Sequence, residues 1–207
     1  MSKKKNIGQS HLSRRGVLKY AVSGLIAGMV GPALFRVPLA SAAGPSMEFK
    51  NALTIYYSRT GNTRIMADFV QELTSSDIVQ IETVNAYPSE YRETTKVAKE
   101  ELNSGYNPPL TTKVENMDAY DVVFVGSPCW WGTIAPPVIS FLSEYNFSGK
   151  TVVPFMTHKG SRLGRTMDHV SELCPASTIM QGLALWGGSV SSNRSNVARW
   201  LRGLDRV

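Results

Sequence analysis

The chain has 207 residues, 43% of them hydrophobic, which fits one globular domain of ordinary size with a short additional segment. Its net charge of +6 arises in residues 1–42, which hold seven of the 22 Lys and Arg residues and none of the 16 Asp and Glu residues. The remaining residues carry a net charge of about −1 and no concentrated basic stripe, which excludes a nucleic-acid partner.

Residues 1–42 resemble a twin-arginine signal peptide. Three lysines near the start precede S-R-R-G-V-L-K at residues 13–19, and a moderately apolar stretch, interrupted by glycine and proline, follows from Tyr20 to Phe35. Ala40-Ser41-Ala42 then offers an A-x-A cleavage site. Val17 stands where the motif usually has Phe, so the alternative is an ordinary secretory signal that contains two arginines by chance.

This leader predicts the location of the mature protein. The twin-arginine export machinery carries folded proteins, and cofactor proteins use it because the cofactor is loaded in the cytoplasm. We therefore expect export to the periplasm or cell exterior. The apolar run is too short and too broken by glycine to leave a stable membrane span after cleavage. Residues 43–50 are predicted to be a linker, and residues 51–207 the functional domain.

Strand and helix patterns alternate along this domain. Compact apolar runs predict five strands, at 52–57, 78–84, 121–126, 151–156 and 178–185. Helical periodicity predicts five helices, one from Asn62 onward and others around 91–102, 138–142, 167–173 and 197–204. Pro154 is unfavourable in a central strand because it cannot donate to the ladder.

This alternation indicates an α/β fold, a three-layer α-β-α sandwich around a five-stranded parallel sheet. Strands that are apolar on both faces belong in parallel sheets covered by helices on both sides. Ligands in such sheets bind at the carboxyl ends of the strands. The loops that follow the strands are therefore the places to search for a functional site.

The loop after the first strand has the composition of a phosphate-binding loop. Hydroxyl residues and a glycine precede a helix N-terminus, whose unpaired N–H groups attract anions. A plain helix N-cap is the alternative. Neither G-x-x-x-x-G-K-[ST] nor G-x-G-x-x-G is present, so the expected ligand is a mononucleotide. The predicted contacts are Ser58, Arg59, Thr60, Gly61, Asn62 and Thr63.

This loop resembles that of flavodoxins, which reads [ST]-x-T-G-x-T, and the resemblance extends over roughly residues 51–205. It implies the flavodoxin-like strand order 2-1-3-4-5 and a non-covalently bound FMN cofactor. The chain resembles the short-chain type, because no long insertion splits the fifth strand.

The loop after the third strand, G-S-P-C-W-W-G-T at residues 126–133, places two tryptophans where no core would cover them. Stacking on a planar ligand would bury one of them, and packing on the next helix is the alternative. The pattern resembles the second flavin loop of a bacterial flavodoxin-like family. By that resemblance the isoalloxazine ring contacts Pro128, Cys129, Trp130, Trp131 and Gly132. The sequence does not decide which tryptophan stacks.

The pattern around the two cysteines predicts neither thiolate catalysis nor a disulfide or zinc site. Cys129 lacks the C-x₅-R pattern of low-molecular-weight tyrosine phosphatases, since Ala135 stands where the arginine is required. We therefore predict no nucleophilic thiolate. Cys129 and Cys174 are too few for a disulfide framework, and a bridge between them is not expected because they fall toward different edges of the sheet. No CxxC or His/Cys cluster predicts zinc.

The loop after the fourth strand, T-H-K-G-S-R-L-G at residues 157–164, resembles a more glycine-rich family loop that covers the other edge of the flavin. Lys159 and Arg162 depart from that pattern, and two cations near the flavin would stabilise its anionic reduced forms. We therefore expect a higher reduction potential than in standard flavodoxins, unless both side chains point to solvent. The predicted contacts are Thr157, His158, Lys159, Gly160 and Ser161.

Two functions follow from a bound flavin. The favoured one is electron transfer to a redox partner protein or small electron acceptor. The alternative is an FMN-dependent oxidoreductase of the NAD(P)H:quinone type, or one acting on another small acceptor, although pyridine nucleotides are scarce outside the cytoplasm. A flavin-free interaction module is a third possibility, which the intact phosphate loop disfavours.

Overall fold

The computed structural model describes residues 49–204, so the predicted leader, nearly all of the predicted linker and the last three residues lie outside the described part. The strands are β1 Ala52–Tyr56, β2 Asp77–Gln80, β3 Val122–Trp130, β4 Thr133–Ile134, β5 Thr151–His158, β6 Thr178–Ile179 and β7 Leu183–Trp186. The α-helices are α1 Asn62–Thr74, α2 Tyr91–Ser104, α3 Pro136–Glu144, α4 Thr166–Leu173 and α5 Arg194–Leu204. Two 3-10 helices span Met117–Ala119 and Gly187–Ser192.

The strands form one sheet with the order β2-β1-β3-β5-β6, all parallel. Strand β7 also pairs with β5, and the two-residue β4 pairs antiparallel with β3. The predicted order 2-1-3-4-5 is confirmed, since β5 is the predicted fourth strand and β6 with β7 replaces the predicted fifth.

Two apolar layers cover the sheet. Helices α1 and α5 pack on one face through side chains such as Met66, Val70 and Leu201. Helices α3 and α4 pack on the other through Phe141 and Val170, with α2 beside α3. All five residues of β1 are buried, as a central strand covered on both faces requires. The predicted three-layer sandwich is therefore confirmed.

The predicted fifth strand is interrupted opposite Pro154. Strand β6 pairs with the start of β5 and β7 with its end, which leaves residues 180–182 between them. The carbonyls of Lys150 and Val152 accept hydrogen bonds from the N–H groups of Thr178 and Met180. Because backbone groups two residues apart in a strand point the same way, the backbone of residue 154 also faces this neighbouring segment. Proline has no N–H to donate there, and the ladder breaks at this point.

The second strand is shorter than predicted, because the chain leaves the sheet edge after Gln80. Ile81 still donates to the Tyr56 carbonyl, at 2.7 Å. The next residue, Glu82, donates instead to the Thr112 hydroxyl, and residue 83 forms an isolated antiparallel bridge with residue 110. The segment predicted as the end of a strand therefore pairs with a later loop.

The third strand is longer than predicted, and part of the predicted loop is a hairpin. Ser127 and Pro128 remain paired with β5, and Trp130 pairs with Thr133 of β4. The two connecting residues, Trp131 and Gly132, both have positive φ, at 52° and 81°. Such a conformation at both central positions is that of a type I′ hairpin turn, in which a tryptophan is rare.

Within residues 49–204, no helix has both the length and the apolar character that crossing a membrane requires.

Candidate functional site

A cleft of about 310 Å³ lies at the carboxyl ends of β1, β3 and β5, the edge at which such sheets bind ligands. Its volume is at the lower end of the range of small-molecule sites, roughly 300–1,000 Å³. The loops after those strands supply most of its lining, together with the first residue of α2 and the residue after β7. Twelve residues line it: Arg59, Thr60, Asn62, Thr63, Tyr91, Pro128, Cys129, Trp130, Thr157, His158, Lys159 and Gly187.

Most of the residues predicted from sequence meet at this cleft. Ten of the 16 predicted contacts are in its lining. The other six do not line the cleft, but each lies within two residues of one that does: Ser58, Gly61, Trp131, Gly132, Gly160 and Ser161. The structure thus brings three separate loops together, as the parallel topology predicted.

One end of the cleft is the N-terminus of α1. Gly61 stands at the N-cap with φ of 85°, and no side chain caps the helix. No acidic residue lies in the first turn, so the N–H groups and the positive end of the helix dipole remain available to an anion. The Thr63 and Thr157 hydroxyls are 2.8 Å apart and join α1 to β5 across this end of the cleft.

Ser58, at the start of the same loop, has a buried side-chain oxygen without a hydrogen-bond partner among the described residues. Leaving a buried hydroxyl unsatisfied costs about 1–3 kcal/mol. An anion held at the helix N-terminus would provide an acceptor. The residues at this end therefore fit the phosphate group that the sequence predicted.

Trp130 also lines the cleft and is fixed by aromatic neighbours. Its ring lies 5.6 Å from Tyr57 and 5.1 Å from Tyr87, both in edge-to-face geometry. The Tyr87 hydroxyl donates in turn to the Glu101 carboxylate, and burial raises the pKa of both groups. A partly buried tryptophan held in this way presents a rigid apolar surface, which suits a planar ligand.

Trp131 has a different environment. Its side chain is exposed, with 54% of its surface accessible, and it lies over α2. Its indole N–H donates to the Thr95 carbonyl at 2.9 Å, and Lys99 Nζ lies 4.8 Å from the ring centre. The type I′ turn therefore separates the two tryptophans, which sequence alone did not distinguish: Trp130 lines the cleft and Trp131 lies outside it.

The end of β5 and the loop after it also contribute to the lining, through His158 and Lys159. The Gly160 N–H donates to His158 Nδ1 at 2.9 Å, so the neutral imidazole carries its proton on Nε2. Lys159 Nζ lies 5.3 Å from the centre of the Tyr91 ring, which belongs to α2. This cation–π contact joins two lining residues from different elements.

Cys129 is unsuited to nucleophilic chemistry. Burial raises the pKa of its thiol, and hydrogen bonds from the Ser161 side chain and the Gly132 backbone offset this only in part. Thiols of raised pKa hold little reactive thiolate near neutral pH. Cys174 is also a free thiol, with burial raising its pKa to about 11.

His158 should titrate below the ordinary histidine pKa of 6.5, because burial and then the charge of Arg162 lower it. The folded state then binds this proton less readily than the unfolded state, so acidification through the region just below pH 6.5 lowers stability.

NMR titration should show the lowered pKa of His158. Arg162→Gln should raise that pKa without restoring the ordinary histidine value, because burial remains. His169, whose pKa is lowered by burial and Arg165, is the internal control and should not respond. An ordinary His158 pKa would contradict the assignment.

Two lining residues, Tyr91 and Gly187, were not predicted. Tyr91 falls within the helix predicted around residues 91–102, and it is the first residue of that helix, directly after the loop that follows β2. Gly187 directly follows β7, and an added Cβ there would lie 2.9 Å from Asn62 Nδ2. Both stand at the carboxyl edge of the sheet, which is the signal that identified the other loops.

A family model described as Flavodoxin matches residues 51–204. Among curated proteins, none matches the chain. A solved structure from Bacteroides eggerthii assigned as a flavoprotein is 27% identical, with a TM-score of 0.67 over 76% of this chain and 98% of that one. A second flavoprotein structure, from Bacteroides uniformis, is 25% identical, with a TM-score of 0.66, and the match covers 74% of this chain and 98% of that one. A flavoprotein in complex with FMN from Lactobacillus acidophilus is 23% identical, with a TM-score of 0.56 over 69% and 97%, and shows likeness of fold.

Proposed function

The chain belongs to the flavodoxin family, and from this we propose that it binds FMN non-covalently in the cleft and carries electrons in the cell envelope. FMN, when bound, supplies reversible one- and two-electron chemistry. The observation that carries the proposal is the joining of an uncapped helix N-terminus and a fixed tryptophan in one cleft. The first suits the phosphate and the second suits the ring.

At the phosphate end, the chain supplies neutral hydrogen-bond donors. The backbone after Gly61 offers N–H groups, and the hydroxyls of Ser58, Thr60 and Thr63 add to them. Thr63 is bound to Thr157, so its position is fixed before any ligand arrives. Preorganised donors of this kind bind an anion without a metal ion or a lysine.

At the ring end, the chain supplies apolar contact and one fixed proton donor. Trp130 and Pro128 line the cleft and exclude water from the face of a planar ligand. His158, protonated on Nε2 in its neutral form, offers a hydrogen-bond donor. Lys159 adds positive charge that stabilises negative charge nearby, which supports a higher reduction potential than in standard flavodoxins.

One consideration favours a carrier over the alternative oxidoreductase. Pyridine nucleotides, the electron donors that this oxidoreductase would use, are scarce in the compartment to which the leader points. An electron carrier needs only one bound flavin with an accessible edge.

Purification of the protein before export, followed by anaerobic reduction, tests this proposal. A carrier should release FMN on denaturation, accept electrons from dithionite in two resolved one-electron steps, and fail to oxidise NADH or NADPH with a quinone present. Steady turnover of NADH or NADPH with a quinone would instead establish the oxidoreductase. A colourless protein that takes up no FMN would contradict both and leave the interaction module.

We also propose that residues 1–42 direct the folded protein to the twin-arginine export machinery. The S-R-R-G-V-L-K segment at residues 13–19 and the glycine-broken apolar run support this route. Replacing Arg14 and Arg15 together by lysine should leave the FMN-loaded precursor in the cytoplasm. Continued export of that variant would indicate an ordinary secretory signal.

A further inference from the structure

Six exposed aromatic and cationic side chains lie in the cleft lining or next to it, and we call them the rim: Tyr91, Lys99, Trp131, Lys159, Arg162 and Trp186. Two pairs of its members are in direct contact. Lys159 lies over Tyr91, and Lys99 lies over Trp131, which is itself bonded to α2. The Trp186 ring lies 5.9 Å from that of His158, the neighbour of Lys159.

The aromatic members of the rim are unusually exposed. Tyr91, Trp131 and Trp186 have 58%, 54% and 51% of their surface accessible, and they make up half of the large exposed hydrophobic side chains in residues 49–204. Scattered exposed aromatics are ordinary, but here one lines the cleft and the other two directly adjoin lining residues, and exposed apolar groups beside one site are typical of contact surfaces. Trp and Tyr, together with Arg, dominate the binding energy of protein–protein interfaces.

The cations of the rim are available for a partner. Within residues 49–204, neither Lys99, Lys159 nor Arg162 lies in a salt bridge. The nearest acidic positions on α2, Glu100 and Glu101, are turned about 100° and about 160° around the helix axis from Lys99. The rim therefore presents positive charge, although the chain after the leader carries a net charge of about −1.

We propose that the rim is the docking surface for an acidic electron-transfer protein. This inference rests on the proposed function, because it assigns a partner to the same flavin site. Opposite charge steers the two proteins into contact and fixes their orientation, and the aromatic side chains provide the buried contact. The choice of a protein over a small anion rests on the aromatic clustering, since a small acceptor has no surface to cover those rings.

Charge reversal away from the cleft lining tests this inference. The rim variant carries Lys99→Glu, which lies outside the cleft lining, and keeps Arg162 because its charge acts on His158. The control variant carries Lys50→Glu, an exposed cation before β1, at the opposite edge of the sheet. Both variants change the net charge by the same amount, so any difference between them reports location.

The measurement is the second-order rate constant for electron transfer from the reduced FMN-loaded protein to two cytochromes. One cytochrome has acidic side chains around its exposed haem edge, and the other has basic side chains there. The acidic cytochrome should react faster, its rate should fall as salt rises, and the rim variant should slow it about tenfold or more. The control variant should stay within about twofold, because its charge lies far from the docking site.

Three outcomes would overturn the inference. The first is a faster reaction with the basic cytochrome, and the second is equal behaviour of the two variants. The third is a rim variant that changes only the rate with ferricyanide, which would indicate a small anionic acceptor. All three outcomes require a protein that binds FMN and whose bound FMN can be reduced. A protein that binds no FMN would instead contradict the proposed function, so the two failures are distinguishable.

Discussion

Replacing Trp130 by alanine is expected to lower the free energy of unfolding by about 3 kcal/mol and to weaken FMN binding about tenfold or more. The side chain is partly buried, packs against Tyr57 and Tyr87, and lines the cleft. The variant loses the apolar contact within this cluster and the surface offered to the ring. Chemical denaturation of the apoprotein and fluorescence titration with FMN measure the two effects separately.

The adjacent Trp131 provides a matched control. It is the same residue type in the same hairpin, but it is exposed and lies outside the lining. Trp131→Ala should change stability by less than about 1 kcal/mol and FMN affinity by less than about threefold. Equal effects at the two positions would contradict the division of roles between them, and a larger loss of affinity at Trp131 would reverse it.

Ser58→Ala should act in opposite directions on the apoprotein and on the complex. Removing a buried hydroxyl that has no partner should leave the apoprotein unchanged or more stable by about 1 kcal/mol. Losing a donor to the phosphate should weaken FMN binding roughly 10- to 100-fold, since hydrogen bonds to charged groups contribute about 1.5–3 kcal/mol. Denaturation of the apoprotein and titration with FMN give both values.

Thr166 supplies the control for this prediction. Its hydroxyl is the second buried side-chain group without a partner in the described residues, and it lies at the start of α4, outside the cleft lining. Thr166→Val should likewise leave the apoprotein unchanged or more stable, yet FMN affinity should stay the same. A loss of affinity in both variants would indicate that the effect reaches the site through the fold, and an unchanged affinity in Ser58→Ala would remove the serine from the phosphate site.

The fold was predictable because its strands differ sharply from its helices in apolar pattern. Strand β1 is wholly buried, and the segment that became α1 has apolar residues on one face only. The interruption between β6 and β7 was not predicted, although Pro154 signalled the irregularity. Proline lacks an N–H, and the ladder breaks only on the side of β5 that the proline nitrogen faces. Which neighbouring strand lies on that side becomes known only once the sheet has formed.

The candidate site was predictable to the extent that it consists of loops following strands. The sequence placed Thr60, Trp130 and His158 at one edge of the sheet, and they meet in one cleft. It did not separate Trp130 from Trp131, because their separation depends on a turn with positive φ at a tryptophan. It also missed Tyr91, since a single aromatic at the start of a polar helix carries no periodic signal.

Titration of the apoprotein with FMN and with riboflavin, which lacks the phosphate, tests whether the uncapped end of α1 holds the phosphate of FMN. FMN should bind at least about 100-fold more tightly, because several backbone and hydroxyl donors would contact a doubly charged group. Equal affinity for the two flavins, or no binding of either, would contradict this expectation.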